Sequence, residues 1–198
     1  MVDESVTGSY PTDAECMSWM NEAAYQIAEE TSCFREEATG SVDVSESTVV
    51  SLPSNWIRGR SFVWDTAGAY RRLTYVEVED LLESGYNIAT TGTPHYWYVY
   101  NETIQFYPVP SSDANYKLWY IKAPTALTAT SSTPEIDTHH QRLLVLFAAY
   151  RFWMKEEEPT MAGGFWGEFQ EGMARFKTTQ AQKHGRKQYR VKDTAGAV

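Results

Sequence analysis

The hydrophobic pattern of this 198-residue chain changes its period twice, and this constrains the fold more than any other feature. Apolar residues recur at intervals of three and four from Thr12 to about Glu37, which predicts an amphipathic α-helix. From Ser41 to about Pro124, short β-type segments alternate with Gly, Pro, Asn and Ser. Helical spacing returns after Pro134. The predicted order is therefore a helix, a β-rich region and further helices.

The first helix has a clear start signal. Thr12-Asp13-Ala14-Glu15 has the form of a capping box, in which the Thr hydroxyl and the Glu carboxylate each accept from a free backbone N–H group. We expect the helix to begin there and to be stopped near Gly40.

The β-rich region contains six segments with strand composition and one short helical segment, Val76–Ser84. Asn101-Glu102 separates two aromatic segments and predicts a two-residue hairpin. Tyr96, Tyr98 and Tyr100 would then face one side of the sheet, and Trp97 and Val99 the other, so both faces are expected to be covered. The predicted strands are Thr48–Leu52, Arg60–Trp64, Arg71–Tyr75, His95–Tyr100, Thr103–Tyr107 and Tyr116–Ile121.

Two helices are predicted after the β-rich region. Leu143–Trp153 is apolar on nearly every side, which indicates a central buried helix, and Glu156-Glu157-Glu158-Pro159 would end it. A last helix is predicted from Met161 to about Gln182. Its apolar stripe is Phe165, Phe169, Met173 and Phe176.

Together these patterns predict an α+β fold built on a helical bundle. Residues 1–40 would supply its N-terminal helix, 125–182 would complete it as a helical hairpin, and 41–124 would form a central β-rich insertion. Residues 183–198 are basic, contain Gly and lack an apolar period, so we expect an extended C-terminal arm.

Charge is distributed unevenly along the chain. Residues 1–48 hold eleven acidic residues and one base, a net charge of −10. From Lys177 onward six bases stand against one acid, so residues 1–176 carry −14 and the remainder +5. Two interpretations remain open: a solvated acidic face with a flexible basic tail, or opposite charges that meet across a subunit contact.

Sequence motifs for catalysis, metal binding or cofactor binding are missing. There is no G-x-G-x-x-G, Walker or G-x-S-x-G sequence. The adjacent pair His139-His140 would point about 100° apart on a helix and could not chelate one ion, so capping or solvation is the preferred interpretation. Cys16 and Cys33 are expected to be reduced thiols. We expect a protein that is not an enzyme, without cofactor or metal.

Neither a signal peptide nor a membrane-spanning segment is expected. The sequence starts Met-Val-Asp-Glu-Ser, without a basic region followed by an apolar one, and no eighteen apolar residues are consecutive.

The basic C-terminal residues are the predicted partner-binding site. A disordered solubilising tail and nucleic-acid contact are the alternatives, but a body at −14 would repel DNA, which favours docking to protein. The predicted residues are Lys183, Arg186, Lys187, Tyr189, Arg190 and Lys192.

One stretch of the sequence resembles a known family. Thr103–Pro124 (TIQFYPVPSSDANYKLWYIKAP) contains a strand ending in P-x-P, a polar turn and a second strand ending in Tyr and Pro. With Pro134, His139-His140 and the apolar helix Leu143–Trp153, this is similar to tailed-phage head-to-tail adaptor proteins, also called head-completion or connector proteins. The similarity covers about residues 95–155.

The resemblance implies a structural protein of the virion neck, synthesised in the host cytoplasm. Such adaptors form a homo-oligomeric ring, typically of twelve subunits, between the portal protein and a tail or neck protein. Genomic DNA would pass through the ring's channel without sequence-specific binding, and residues 183–198 would be the extension that docks onto the portal or a neighbour. No catalytic, metal or cofactor residue is implied, and no membrane.

Two other functions remain as alternatives. The aromatic excess of the β-rich region also fits a carbohydrate- or receptor-binding β module of a virion or cell surface. An enzyme of unrecognised type is the third. Exposed aromatics clustered on one sheet face would favour the second function, and a cleft with perturbed carboxylates the third.

Overall fold

The computed structural model describes residues 10–66 and 68–183. Four α-helices, a short 3₁₀ turn (Thr138–His140) and nine strands lie in these ranges. The helices are α1 (Asp13–Thr31), α2 (Val78–Glu83), α3 (Arg142–Lys155) and α4 (Pro159–Lys183). The strands are β1 (Arg35–Val42), β2 (Val50–Ser51), β3 (Trp56–Thr66), β4 (Ala69–Tyr75), β5 (Thr91–Gly92), β6 (Tyr96–Tyr100), β7 (Thr103–Tyr107), β8 (Val109–Pro110) and β9 (Ala114–Lys122).

The chain divides into two compact units. The first consists of the described residues up to Thr31 and from Thr125 onward, and contains α1, α3 and α4. The second is the continuous segment Ser32–Pro124, which contains all nine strands and α2.

Helix α1 begins at the predicted capping box. The Thr12 backbone N–H donates to Glu15 Oε2 at 2.9 Å, and the Glu15 N–H donates to Thr12 Oγ1 at 3.3 Å. The helix ends at Thr31, so its predicted continuation to about Glu37 is wrong. Residues from Arg35 onward are strand β1 instead, because they pair with β9 along eight residues and tertiary pairing overrides local helical spacing.

The helices of the first unit pack through their apolar stripes, and α3 contacts both α1 and α4. Phe169 of α4 lies 5.3 Å from Phe147 of α3, measured between ring centroids. Phe165 of the predicted α4 stripe is only half-buried. The prediction of a central buried helix is wrong for one face of α3, where Val145 is 61% exposed. The buried apolar residues of these helices are Ala23, Ile27, Ala28, Leu143, Leu144, Leu146, Phe147, Ala162, Phe169, Met173 and Phe176.

A seven-stranded sheet dominates the second unit, in the order β1-β9-β3-β4-β6-β7-β2. All its pairings are antiparallel except β4 with β6, which are parallel and paired only through Thr74↔Tyr96 and Tyr75↔Trp97. β5 and β8 form a separate two-stranded ladder.

Aromatic side chains form the core of the second unit. Phe62 contacts the Trp97, Phe106 and Tyr116 rings at centroid distances of 5.1 to 5.9 Å. Trp64 is 2% exposed and Trp97 1%. Ring stacking and apolar burial together give this sheet a core of its own.

The predicted alternation along β6 is confirmed. Trp97 and Val99 belong to the main core, whereas Tyr96 and Tyr98 pack against Leu81 of α2. Both faces of this strand are therefore covered up to Val99, one by the core and the other by α2, whereas Tyr100 at its end is exposed.

The predicted hairpin at Asn101-Glu102 is also confirmed. β6 and β7 pair from Tyr96↔Tyr107 to Tyr100↔Thr103 around these two residues. Both have positive φ, 49° and 58°, as the favoured two-residue hairpin turns require.

The predicted fold class, an α+β helical bundle with a central β-rich insertion and an extended arm, is wrong. The β-rich part is a large seven-stranded sheet with its own core, and four α-helices accompany it in the described residues. The prediction erred because each strand segment is short and shows no sign of its partner in the local sequence. The strands nevertheless pair over long sequence distances, as β1 does with β9. The predicted arm lies outside the described residues apart from Lys183.

Candidate protein–protein interfaces

Three glutamates of α1 form ion pairs with bases of α3 and α4. They lie seven and eight residues apart, about two helical turns each, and so share one helix face. The pairs are Glu15–Lys155 at 2.7 Å, Glu22–Arg151 at 3.0 Å and Glu30–Lys177 at 2.6 Å. Part of the acidity of the N-terminal region is thus neutralised within the chain, an arrangement that neither interpretation of the sequence included.

The pKa values of two of these carboxyls are lowered by their partners. The hydrogen bond from Lys155, with further bonds from the Thr12 backbone and hydroxyl, lowers the pKa of Glu15 from 4.5 to about 2. Hydrogen bonds from Lys177 and Gln26 lower the pKa of Glu30. The ends of α1 are therefore held to α3 and α4 while these groups are ionised.

An open cavity of about 400 Å³ lies between the start of α3 and the middle of α4. Leu143, Leu146 and Gly172 give it an apolar floor, and a Cβ added to Gly172 would lie 2.6 Å from Leu143 Cδ2. Ion-paired side chains form its rim, Arg142–Glu168 at 2.9 Å and Arg175–Glu171 at 2.5 Å. An apolar centre with a charged rim is the usual anatomy of a protein-binding surface.

The predicted histidine pair borders this cavity. Asp137 Oδ1 accepts from the His139 backbone N–H at 3.2 Å, which is the capping contact preferred over a metal site. The His140 ring lies 4.3 Å from the Phe176 ring. Asp137 therefore caps the start of the helical segment, and the His140 ring packs on α4.

Further apolar side chains of the first unit are exposed. Met154 of α3 is 50% exposed and Met161 of α4 is 47% exposed. Flexible thioether side chains adapt readily to a partner's surface. The other exposed large apolar residues of this unit are Tyr10, Tyr25 and Val145.

Two of the exposed tyrosines of the second unit lie on opposite faces of the sheet. Tyr70 and Tyr75 lie five residues apart on β4 and so point to opposite faces of the sheet. The Tyr75 hydroxyl donates to Glu77 Oε1 at 2.9 Å, and burial together with this bond raises its pKa to about 12. Of the four tryptophans of this unit, Trp64 and Trp97 are buried, whereas Trp56 and Trp119 are half-buried. The aromatic excess of this region is therefore used partly in the core.

Three aspartates gather where β1, β3 and β9 meet, and each caps a turn. Asp65 Oδ1 accepts from the Gly68 N–H at 2.8 Å, and Asp113 Oδ1 accepts from the Val44 N–H at 2.9 Å. Hydrogen bonds from Ser45 lower the pKa of Asp43. These contacts explain the aspartates as turn-forming residues.

Strand β4 presents a basic, exposed edge. Every residue of β4 except Leu73 is exposed, and Tyr70 is 67% exposed. Arg71 is placed 3.2 Å from His95, measured from its guanidinium nitrogen to Nδ1. Within residues 10–66 and 68–183, no acidic side chain pairs with Arg71 or Arg72.

The predicted partner-binding residues are placed only in part. Lys183 is the last residue of α4. The other five, Arg186, Lys187, Tyr189, Arg190 and Lys192, lie outside the described residues. The edge of β4 was missed by the sequence analysis, although two adjacent arginines in a strand without nearby acids were visible there.

The described part of the chain offers no group of three His, Cys, Asp or Glu residues suited to a metal ion. Neither Cys16 nor Cys33 forms a disulfide within the described residues. Among the same residues, no helix is both long enough and apolar enough to span a membrane.

Exposed apolar side chains, a cavity with a charged rim and an open strand edge are features of proteins that act through contact surfaces. The model of a family described as SU10 adaptor protein matches residues 3–191, and the chain belongs to this family. No curated protein matches the chain. The family consists of phage structural adaptors, which are virion components that associate with other virion proteins and are not enzymes. The predicted resemblance to a phage adaptor is confirmed at this level.

Proposed function

We propose that the chain is a head-to-tail connector that forms a ring, of twelve subunits, between the portal protein and a tail or neck protein. The observation that carries this proposal is the family match over residues 3–191, almost the whole chain. The ring would lie in the virion neck and surround the channel through which genomic DNA passes.

Charge supports the role of a DNA conduit. Residues 1–176 carry a net charge of −14, and the DNA backbone is itself densely negative. A negative wall disfavours adhesion of phosphates, so DNA can slide through without sequence-specific binding.

The C-terminal residues 183–198 are the proposed docking arm for the portal or for a neighbouring subunit. They combine five bases with one acid, and the body of the chain is acidic. Charge complementarity of this kind increases the association rate and fixes orientation.

Native mass spectrometry of the purified chain, with and without the portal protein of the same phage, tests the proposal. A ring of defined copy number that forms on the portal is the expected result. A chain that stays monomeric and does not bind the portal at micromolar concentrations would contradict it.

Removal of residues 183–198 tests the arm. We expect an unchanged unfolding temperature, because the packed stripe of α4 ends at Phe176, and at least tenfold weaker docking to the portal. A second variant is the full-length chain with Arg186, Lys187, Arg190 and Lys192 replaced by Gln, which removes the charge and keeps the residues in place. Both variants should lose docking if charge is responsible, whereas wild-type affinity in both would refute the arm's role.

A further inference from the structure

We infer that the free edge of β4 is a docking site for residues 1–9 of a neighbouring copy, which add to the sheet as an extra strand. The inference rests on the proposed function, since assembly brings copies together. Residues 1–9 lie outside the described residues and enter here by their sequence alone, Met-Val-Asp-Glu-Ser-Val-Thr-Gly-Ser.

The backbone of β4 has an open side. The Thr74 N–H donates to the His95 carbonyl at 3.0 Å, and the Val76 N–H donates to the Trp97 carbonyl at 3.1 Å. Backbone groups alternate sides along a strand, so those of Tyr70 and Arg72 point the same way as those of Thr74. The ladder with β6 reaches only Thr74 and Tyr75. Within the described chain, Tyr70 and Arg72 therefore present backbone groups that no strand pairs.

Such an edge selects an extended partner. Unpaired N–H and C=O groups in a row are satisfied by another strand, which is the basis of recognition by β-augmentation. The flanking pairing of β4 with β3, from Phe62↔Leu73 to Thr66↔Ala69, holds the edge in strand geometry before the partner arrives. The backbone of β4 therefore needs little further ordering when the partner strand binds.

The side chains of the edge select acidic residues. Arg71 and Arg72 are consecutive and therefore project from opposite faces of the sheet. Asp3 and Glu4 are likewise consecutive, so in an added strand one acid would meet one arginine on each face. The pairing satisfies the two arginines that have no acidic partner in the described chain.

Charge and length distinguish residues 1–9 from the other segment outside the described residues. Residues 184–198 hold four bases and one acid, so the arginines of β4 would repel them. Residues 1–9 hold two acids and no base. The edge from Ala69 to Leu73 is about 17 Å long, and nine extended residues reach about 30 Å. The segment can thus cover the edge with residues left over to connect to Tyr10.

Charge reversal tests the contact in the full-length chain. Arg71→Glu with Arg72→Glu, and separately Asp3→Arg with Glu4→Arg, should each weaken subunit association by at least tenfold in sedimentation measurements. Combining all four changes should restore it, because the charges are exchanged. Arg71→Lys with Arg72→Lys is the control and should assemble like the wild type. Failure of the combined variant to recover, while both double reversals fold, would overturn the inference.

Hydrogen–deuterium exchange gives a second readout. On assembly, the amides of Tyr70 and Arg72 should become protected, whereas those of Arg71 and Leu73, which face β3, should change little. Assembled rings without that protection would overturn the inference and leave the proposed function intact. Equal protection in the dilute monomer would mean that the chain's own residues 1–9 occupy the edge. The inference that a neighbouring copy supplies them would then be overturned.

If the wild-type chain forms no ring, alone or with the portal, and does not bind the portal, the proposed function fails and the docking site can still be tested. A synthetic peptide of residues 1–9 would then be added to the chain that lacks them. Protection of the Tyr70 and Arg72 amides at submillimolar peptide would support the site. No protection at that concentration, or equal protection by a peptide with Asp3→Arg and Glu4→Arg, would overturn it.

Discussion

Glu15 combines two roles in one side chain. Its carboxylate closes the capping box with Thr12 and accepts a hydrogen bond from Lys155, the last residue of α3. Local capping and tertiary pairing therefore stabilise the same ionised state. The consequence is a carboxyl whose pKa is about 2.

The pH dependence of stability follows from this lowered pKa. The contribution of Glu15 is complete above its ordinary pKa of 4.5, and is lost as the pH falls toward about 2. Glu15→Gln keeps an acceptor for the capping box but removes the charge. We expect this variant to unfold at a lower temperature than the wild type at pH 7, and the difference to vanish near pH 2. A difference independent of pH in thermal unfolding would contradict this account.

Gly59 of β3 is required by a close approach of aromatic rings. A Cβ at this position would overlap the Trp97 ring and would lie 2.8 Å from the Trp56 ring. Trp97 is 1% exposed and cannot move toward solvent without opening the core.

Gly59→Ala should therefore destabilise the chain by about 1–3 kcal/mol, as overpacking of a core does. Gly163→Ala is the matched control, because a Cβ on that α4 residue meets no atom within 4 Å. Alanine there should stabilise the helix by about 0.5–1 kcal/mol. Urea denaturation measures both values, and equal effects of the two substitutions would refute the packing argument.

At the scale of elements, the β6–β7 hairpin shows how a turn fixes register. Asn101 and Glu102 both adopt positive φ, so the pairing continues without slippage to Tyr100↔Thr103. Asn tolerates this region, but a residue with an ordinary side chain is strained in it.

Glu102→Gly should relieve that strain and stabilise the chain by up to about 1 kcal/mol, because Asn-Gly is the favoured sequence for this turn. Glu102→Ala removes the carboxylate and keeps the strain, so it should give no such gain. Thermal unfolding distinguishes the two variants. Equal stabilisation by Ala would mean that the carboxylate, not the backbone, is the source of the strain.

At the scale of the whole molecule, opposite charges serve two purposes. Some meet within the chain, as in the three ion pairs of α1. Others, in residues 1–9, on β4 and in the C-terminal segment, are proposed to meet across subunits. The two groups of charges should respond differently to salt, because only the charges proposed to meet across subunits affect the association of separate molecules.

Raising the salt concentration from 0.1 to 1 M shortens the screening length from about 10 to about 3 Å. We expect subunit and portal association to weaken by roughly tenfold or more, with only a small change in unfolding temperature, since exposed pairs contribute about 0–1 kcal/mol each. Sedimentation and thermal unfolding across this range measure the two effects. Association that strengthens with salt would indicate apolar contacts instead.

The sequence by itself determined the features that depend on neighbouring residues. The capping box at Thr12, the turn at Asn101-Glu102 and the alternation along β6 are set by local hydrogen bonding, backbone preference and the period of two. The resemblance to phage adaptors could likewise be seen in the sequence, because it lies in the order of residues in and after the P-x-P segment.

Only the tertiary structure decided what depends on distant residues. The helical spacing after Thr31 is overridden because β1 gains a ladder with β9, about eighty residues later. Likewise, sequence cannot show that β4 pairs with β6 at only two positions, so the open edge beside Arg71 and Arg72 was not predicted. Which strands pair depends on the free energy of the whole sheet and its core. A local sequence pattern does not contain this information.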